Sequence, residues 1–170
     1  MSVNIKLYWN YLKFDIDQET FKAAKVQITG DENAEIRNEA QTGITDFDKF
    51  YCIKKIEEAI VGVRHILHKF FSSVTRTEPT GTSETIVDDS DQYLKNVQYW
   101  ELKFEFDGRR SVDSEGLAHE IHKYVVLNVL QEWSKIAMPT MEKNYYERLI
   151  VEENRIKAMC FRKEEPTLDV

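Results

Sequence analysis

The sequence lacks the apolar segments that would place a protein in or across a membrane. No apolar run approaches the roughly 18 residues that a membrane-spanning helix needs, so none is predicted. The chain starts MSVNIKLYWNYLKFD, without the basic, apolar and small-residue regions of a secretory signal, so export is not expected.

Cysteine and basic charge are also scarce. The two cysteines, Cys52 and Cys160, fall in helical patterns and have no export signal ahead of them, which favours buried thiols over a disulfide. With 23 Lys and Arg against 30 Asp and Glu, the net charge is −7. Tight general binding to nucleic acid depends on neutralising phosphates, so a DNA-gripping role is not expected.

The common catalytic and cofactor motifs are missing. The sequence contains no phosphate-binding loop, no dinucleotide-binding glycine turn and no nucleophile elbow. Asp88–Asp91 is acidic but lacks the glycine and terminal glutamate of a calcium loop, which favours a solvated turn. We therefore predict that the protein is not an enzyme and needs no cofactor.

What is present is the composition of a soluble globular domain. The 170 residues are 42% hydrophobic and 31% charged, and a chain of this size can form one hydrophobic core. We predict a single domain over residues 1–163, followed by a short acidic flexible tail at 164–170.

The first third of the chain gives mixed signals. Two alternating runs predict strands: Val3, Ile5, Leu7 and then Leu12, Phe14, Ile16. Short helices are predicted over residues 18–26 and 31–40. A long amphipathic helix is predicted from Thr45 or Asp46, either of which suits an N-cap, to about Ser72.

A β insertion over about residues 74–107 interrupts the helices. Its first part, 76–91, is rich in small and polar residues and predicts a loop or hairpin tip. Residues 100–106 then alternate apolar and charged, which predicts a strand with one buried face. Its partners should be the 74–87 region, the N-terminal strands or another subunit, because one strand is not stable alone.

The last third predicts two antiparallel helices. Asp113 suits an N-cap, with Val112 and Leu117 placed as a hydrophobic staple, and Pro139 suits the first turn of the second helix. The central helix carries a wide apolar arc: Leu117, Ile121, Val125, Val126, Val129, Leu130, Trp133 and Ile136. The fold class is therefore mainly α (α+β): a helical bundle of about three long helices, with its core at about 45–72 and 113–163 and a β-hairpin or strand insertion.

The four histidines form two His-x-x-His pairs, and this is the one metal-site hypothesis. His65 and His68 would share one helix and His119 and His122 another, so that four ligands could meet. Against this, His65 lies about 140° from the apolar stripe of its helix at 100° per residue. The inward acids of carboxylate-bridged bundle sites are also absent. Surface or half-buried histidines are the favoured interpretation.

Apolar side chains and one polar residue are candidates for a subunit interface. The aromatic strand has more apolar surface than one small hairpin can bury, which indicates core or interface packing. Asn128 is a polar residue on the central helix's apolar arc. The candidates are Trp100, Phe104, Phe106, Asn128 and Trp133.

Residues 43–163 resemble the head–tail connector (adaptor) proteins of tailed bacteriophages, as in phages of Bacteroides-like hosts. The resemblance is carried by GITDFD at 43–48, IEEAI at 56–60, WELKFEF at 100–106, LAHEIHKYVV at 117–126 and the break at Pro139. The first 40 or so residues do not match that pattern.

The resemblance implies a structural virion protein at the head–tail junction, assembled in the host cytoplasm. Subunits of that family form a ring, commonly a dodecamer, which binds the portal protein above and other neck or tail proteins below. Packaged DNA would pass through without specific binding, which the acidic charge favours. The alternatives are a helical-bundle metalloprotein using the histidine pairs and a bacterial scaffold domain.

Overall fold

The computed structural model describes residues 1–27, 48–78, 98–107 and 112–161, with side chains only to residue 23 in the first range. The described elements, in chain order, are β1 (Ser2–Tyr8), α1 (Trp9–Gln27), α2 (Lys49–Ile66), β2 (Phe71–Thr77), β3 (Tyr99–Glu105), α3 (Ser114–Ala137) and α4 (Pro139–Phe161). The mainly α (α+β) class is therefore confirmed. The predicted helix at 31–40, the Asp88–Asp91 turn and the 164–170 tail lie outside the described residues.

The three strands form an antiparallel sheet in the order β1-β3-β2. Leu102 on β3 pairs with Ile5 on one side and with Val74 on the other. Alternate residues of β1 and β3 are buried, so one face of the sheet packs on the helices while the other faces solvent. The strand predicted at 100–106 is confirmed, and both of its neighbours come from the same chain.

The alternation at Leu12, Phe14 and Ile16 predicted a strand, and this prediction is wrong. These residues lie in α1, a helix of 19 residues that includes the short helix predicted at 18–26. Leu12 and Ile16 are fully buried and four residues apart, so they share one helix face, whereas Phe14 points outward. Two apolar residues at i and i+4 fit both the two-residue period of a strand and the 3.6-residue period of a helix. Here the segment is a helix that packs against α3.

The first long helix is shorter than predicted at both ends. Asp48 is the N-cap of α2, and its Oδ1 accepts a hydrogen bond of 2.8 Å from the Tyr51 backbone N–H. Thr45 and Asp46 lie outside the described residues. The helix ends at Ile66 rather than near Ser72, because the β-branched segment that follows pairs with β3 as strand β2.

The predicted antiparallel helix pair is confirmed as α3 and α4. Asp113 caps α3 by accepting from the backbone N–H groups of Glu115 and Gly116, and Val112 and Leu117 are both buried. Gly116, near the start of α3, lies so close to Met159, near the end of α4, that an added Cβ would stand 2.8 Å from the Met159 Cε. The predicted apolar arc is buried along most of α3, but Ile136 in its last turn is 78% exposed.

Candidate functional site

Helices α1 and α4 form the walls of a trough whose floor is α3. The trough has a volume of about 450 Å³. Its floor is apolar and buried: Val126, Leu127 and Leu130. Arg148 on α4 lies 3.3 Å from Glu19 on α1, so an ion pair joins the two walls.

Glu19 is the charged centre of this wall contact. Its carboxylate lies 3.0 Å from the Lys22 Nζ as well as accepting from Arg148. Burial acts to raise the pKa of Glu19, but the hydrogen bonds to Lys22 and Arg148 outweigh it and the pKa is lowered overall. Glu19 therefore remains ionised in the fold.

One histidine of the candidate metal set contributes to this surface. His122 Nε2 lies 2.7 Å from Asp15 Oδ2, which ties α3 to α1 beside the trough. A second depression of about 550 Å³ continues from His122 past the exposed His119 to β1. A half-exposed pair of this kind contributes up to about 1 kcal/mol to stability.

The four histidines are not brought together. His65 is exposed near the end of α2, and His68 lies beyond its last residue, with its Nδ1 3.2 Å from the His65 carbonyl oxygen. The expectation that these two share a helix face is wrong, because α2 ends at Ile66. Across the described ranges, no three His, Cys, Asp or Glu side chains are close enough to hold a metal ion.

Two glutamates meet between α3 and α4 at the trough. The Oε2 atoms of Glu120 and Glu152 are buried, and neither has a hydrogen-bond donor from another residue in the described part of the chain. Burial and the hydrogen bond with Glu120 raise the pKa of Glu152. The same hydrogen bond, with Lys123 and Arg155, lowers the pKa of Glu120. Both shifts have the direction expected when a proton on Glu152 is shared with the ionised Glu120.

Most of the interface candidates lie in the core of the chain itself. Trp100, Phe104 and Phe106 are almost fully buried beneath the helices, so they are not available to a neighbouring subunit. They were selected on the expectation that the sheet lacks cover, but the helices supply it. Asn128 and Trp133 are half-buried.

Several exposed apolar side chains lie on helices α1 and α4. Tyr11, Phe14 and Phe21 are exposed along α1 and are named here the α1 stripe; Phe14 is 62% exposed, and Tyr11 and Phe14 also line the depressions beside α3. Tyr146 and Ile150, one turn apart and also exposed, form the α4 stripe. The sequence pattern missed the α1 stripe because Leu12, Phe14 and Ile16 were interpreted as one face of a strand.

A third apolar patch lies at one end of the bundle. Phe50 at the start of α2 is 87% exposed. Lys55 lies 3.6 Å from Glu132, and Gly62 lies beside Tyr124, so α2 and α3 are antiparallel. This register places Phe50 at the level of the exposed Ile136, and we name the two residues the end patch.

Both cysteines are buried thiols and do not form a disulfide, as the sequence predicted. Burial first, and then the charges of Asp17 and Asp48, raise the pKa of the Cys52 thiol to about 12. A neutral thiol is a poor nucleophile, so Cys52 acts as an apolar core residue.

No family model, curated protein or solved structure matches this chain. Within the described ranges, every helix is too short or too polar to cross a bilayer.

Proposed function

We propose that the protein is a structural subunit of the bacteriophage head–tail junction. Copies of the chain assemble into a ring between the portal protein and the downstream neck or tail proteins, and the subunit carries no catalytic site or cofactor. The ring is part of the virion and is assembled in the host cytoplasm. Packaged DNA passes through it without specific binding.

The observation that carries this proposal is the grouping of exposed apolar side chains. Scattered exposed apolar residues are ordinary on a monomer, but contiguous ones mark interaction surfaces. Seven of the twelve exposed large apolar side chains lie in the α1 stripe, the α4 stripe and the end patch; the other five are Met1, Val61, Val74, Val151 and Phe161. Stripes along the helices suit contacts within a ring, and a patch at one end of the helices suits contact with the layer above or below. The choice of this kind of assembly rests on the resemblance over residues 43–163.

The test is assembly of the purified full chain, alone and with the portal protein encoded in the same genome. Native mass spectrometry should show a single large homo-oligomer, and negative-stain electron microscopy should show rings that bind the portal. Phe50→Ser should abolish portal binding while rings still form, since the end patch lies off the stripes. A chain that stays monomeric both alone and with portal would contradict the proposal.

A further inference from the structure

The trough between α1 and α4 has the size and the floor of a small-molecule site. Its volume of about 450 Å³ lies within the range of roughly 300–1,000 Å³ that such sites have. The buried side chains of Val126, Leu127 and Leu130 form its apolar floor, and the exposed Phe14 lines it as well. A hydrocarbon group that covers this surface is stabilised there, because apolar area on both partners is removed from water.

The polar lining of the trough contains one carboxylate that two cations share. Glu19 lies 3.0 Å from the Lys22 Nζ and 3.3 Å from the Arg148 Nη1, so these three groups together carry a net positive charge. The remaining charged groups of the lining each have a hydrogen-bonding partner: Asp15 has His122, Lys123 has Glu120 and Glu152 has Arg155. Within the described ranges, the positive surplus therefore lies at the contact between the two walls.

Arg148 and Lys22 remain accessible to a further anion. Their side chains are 49% and 64% exposed. The Arg148 guanidinium carbon also lies 5.8 Å from the centre of the buried Tyr145 ring, which helps to hold the group in place on α4. A guanidinium has five N–H donors, so its contact with Glu19 leaves donors for a second carboxylate.

We propose that the trough binds a small amphipathic carboxylate. The carboxylate of the ligand lies between Lys22 and Arg148, and its hydrocarbon chain covers the α3 floor. A single negative charge matches the surplus at the wall contact, which favours a carboxylate over a phosphate monoester with its charge of about −1.5 to −2. The proposal goes beyond the assembly role and does not depend on it, because every group that it uses belongs to one subunit.

Sodium decanoate titrated into the full chain tests the proposal. Methyl NMR should show saturable shifts at Val126, Leu127 and Leu130, whereas the methyl groups of the exposed Val74 on β2 should not shift. From hexanoate to decanoate, the affinity should rise by up to about fourfold for each CH₂ group that becomes buried. Decylamine has a chain of the same length with the opposite charge, and it should bind at least about tenfold more weakly, since it cannot accept the charge-assisted hydrogen bonds.

Two variants address the carboxylate end of the site, with a matched control. Arg148→Gln should weaken decanoate binding about tenfold, and Lys22→Gln should weaken it by a smaller factor, because Lys22 is the more exposed of the two. Lys143→Gln should bind decanoate as wild type does, because Lys143 pairs with Glu147 on α4 and does not line the trough. The wall contacts are partly exposed, so each variant should still fold, which circular dichroism checks.

Three results would overturn the proposal. The first is the absence of saturable methyl shifts at the floor with decanoate. The second is equal decanoate affinity in wild type and Arg148→Gln. The third is decylamine binding as tight as that of decanoate, which would mean that the chain alone is recognised. Native mass spectrometry of the same samples reports on assembly separately, so either proposal can fail while the other stands.

Discussion

Replacing Glu152 with Gln should stabilise the protein, and the gain should grow with pH. Glu152 is only 8% exposed, and its Oε2 and that of Glu120 lack donors from other residues in the described part of the chain. The glutamine amide has the same shape and can donate its N–H to Glu120 at every pH. The variant therefore keeps the α3–α4 contact without needing the shared proton.

The sign of the pH effect follows from the direction of the pKa shift. The pKa of Glu152 is raised, by burial first and then by Glu120, so its neutral form stabilises the fold below the ordinary pKa of glutamate. That contribution is lost as the pH rises through the raised pKa. Glu120 has a lowered pKa and stays ionised, and its own contribution disappears only on acidification through that lowered value. Wild type is thus penalised once the pH exceeds the raised pKa of Glu152, and the variant is not.

The expected gain in the free energy of unfolding is that of giving one poorly hydrogen-bonded buried group a good partner. Such a group costs about 1–3 kcal/mol, and the half-exposed Arg155 at 2.9 Å from Glu152 Oε1 places this case at the lower end. We expect a gain of about 1 kcal/mol at about pH 8, which raises the melting temperature by about 2–4 °C in a chain of this length. At about pH 5 the gain should be smaller, because wild type then holds the proton more readily.

Urea unfolding at the two pH values measures this directly. Glu153→Gln is the matched control, because its neighbour Glu153 is paired with Lys157 on the outside of α4. That variant should lose about 0.3–0.5 kcal/mol, the value of an i,i+4 ion pair. A Glu152→Gln protein that is less stable than wild type at the higher pH, or that gains more at the lower pH, would refute the shared-proton arrangement.

Other expectations test the packing and the chemistry of the described residues. Gly62→Ala should destabilise the protein, because the new Cβ would stand 2.6 Å from the Tyr124 Oη. In a Tyr124→Phe background that oxygen is gone, and the next nearest ring atoms are 3.5 Å from the Cβ. There, Gly62→Ala should stabilise the protein by about 1 kcal/mol through the higher helix propensity of alanine. Thermal unfolding of wild type, the two single variants and the double variant completes a double-mutant cycle. Additive changes in stability would contradict the steric clash between the new Cβ and the Tyr124 hydroxyl. Asp113→Ala should cost about 1 kcal/mol in urea unfolding by removing the cap of α3, whereas Asp113→Asn should cost less. Purified protein should contain no stoichiometric zinc or iron by elemental analysis, and stoichiometric metal would revive the histidine hypothesis.

The elements with a long, consistent period could be predicted from sequence. The α3–α4 pair combines an N-cap at Asp113, a wide apolar arc and a break at Pro139, and all three signals agree. Strand β3 alternates strictly over seven residues, so one face is buried whatever its partners are. Local rules are sufficient where propensity, period and end signals favour the same structure.

Where two periods fit the same residues, tertiary packing decides. Leu12 and Ile16 satisfy both alternation and the i,i+4 spacing, and the helix is the form that packs α1 against α3 and β1. The same error hid the α1 stripe, because a helix turns Phe14 outward. The end of α2 depended on the partner of β2, which lies more than twenty residues further along the chain. Windows of local sequence contain none of this information.

The acidic net charge, which the proposed free passage of DNA depends on, is unevenly distributed along the sequence. Residues 28–47 and 79–97 together contain nine acidic and two basic side chains, which equals the whole net charge of −7. The rest of the chain, including the helices that carry both stripes, is therefore neutral overall. The net acidic charge on which the proposed free passage of DNA depends is therefore carried, in sum, by these two segments of the sequence. Replacing their acids with the corresponding amides should thus leave ring assembly intact while increasing DNA retention in a low-salt binding assay.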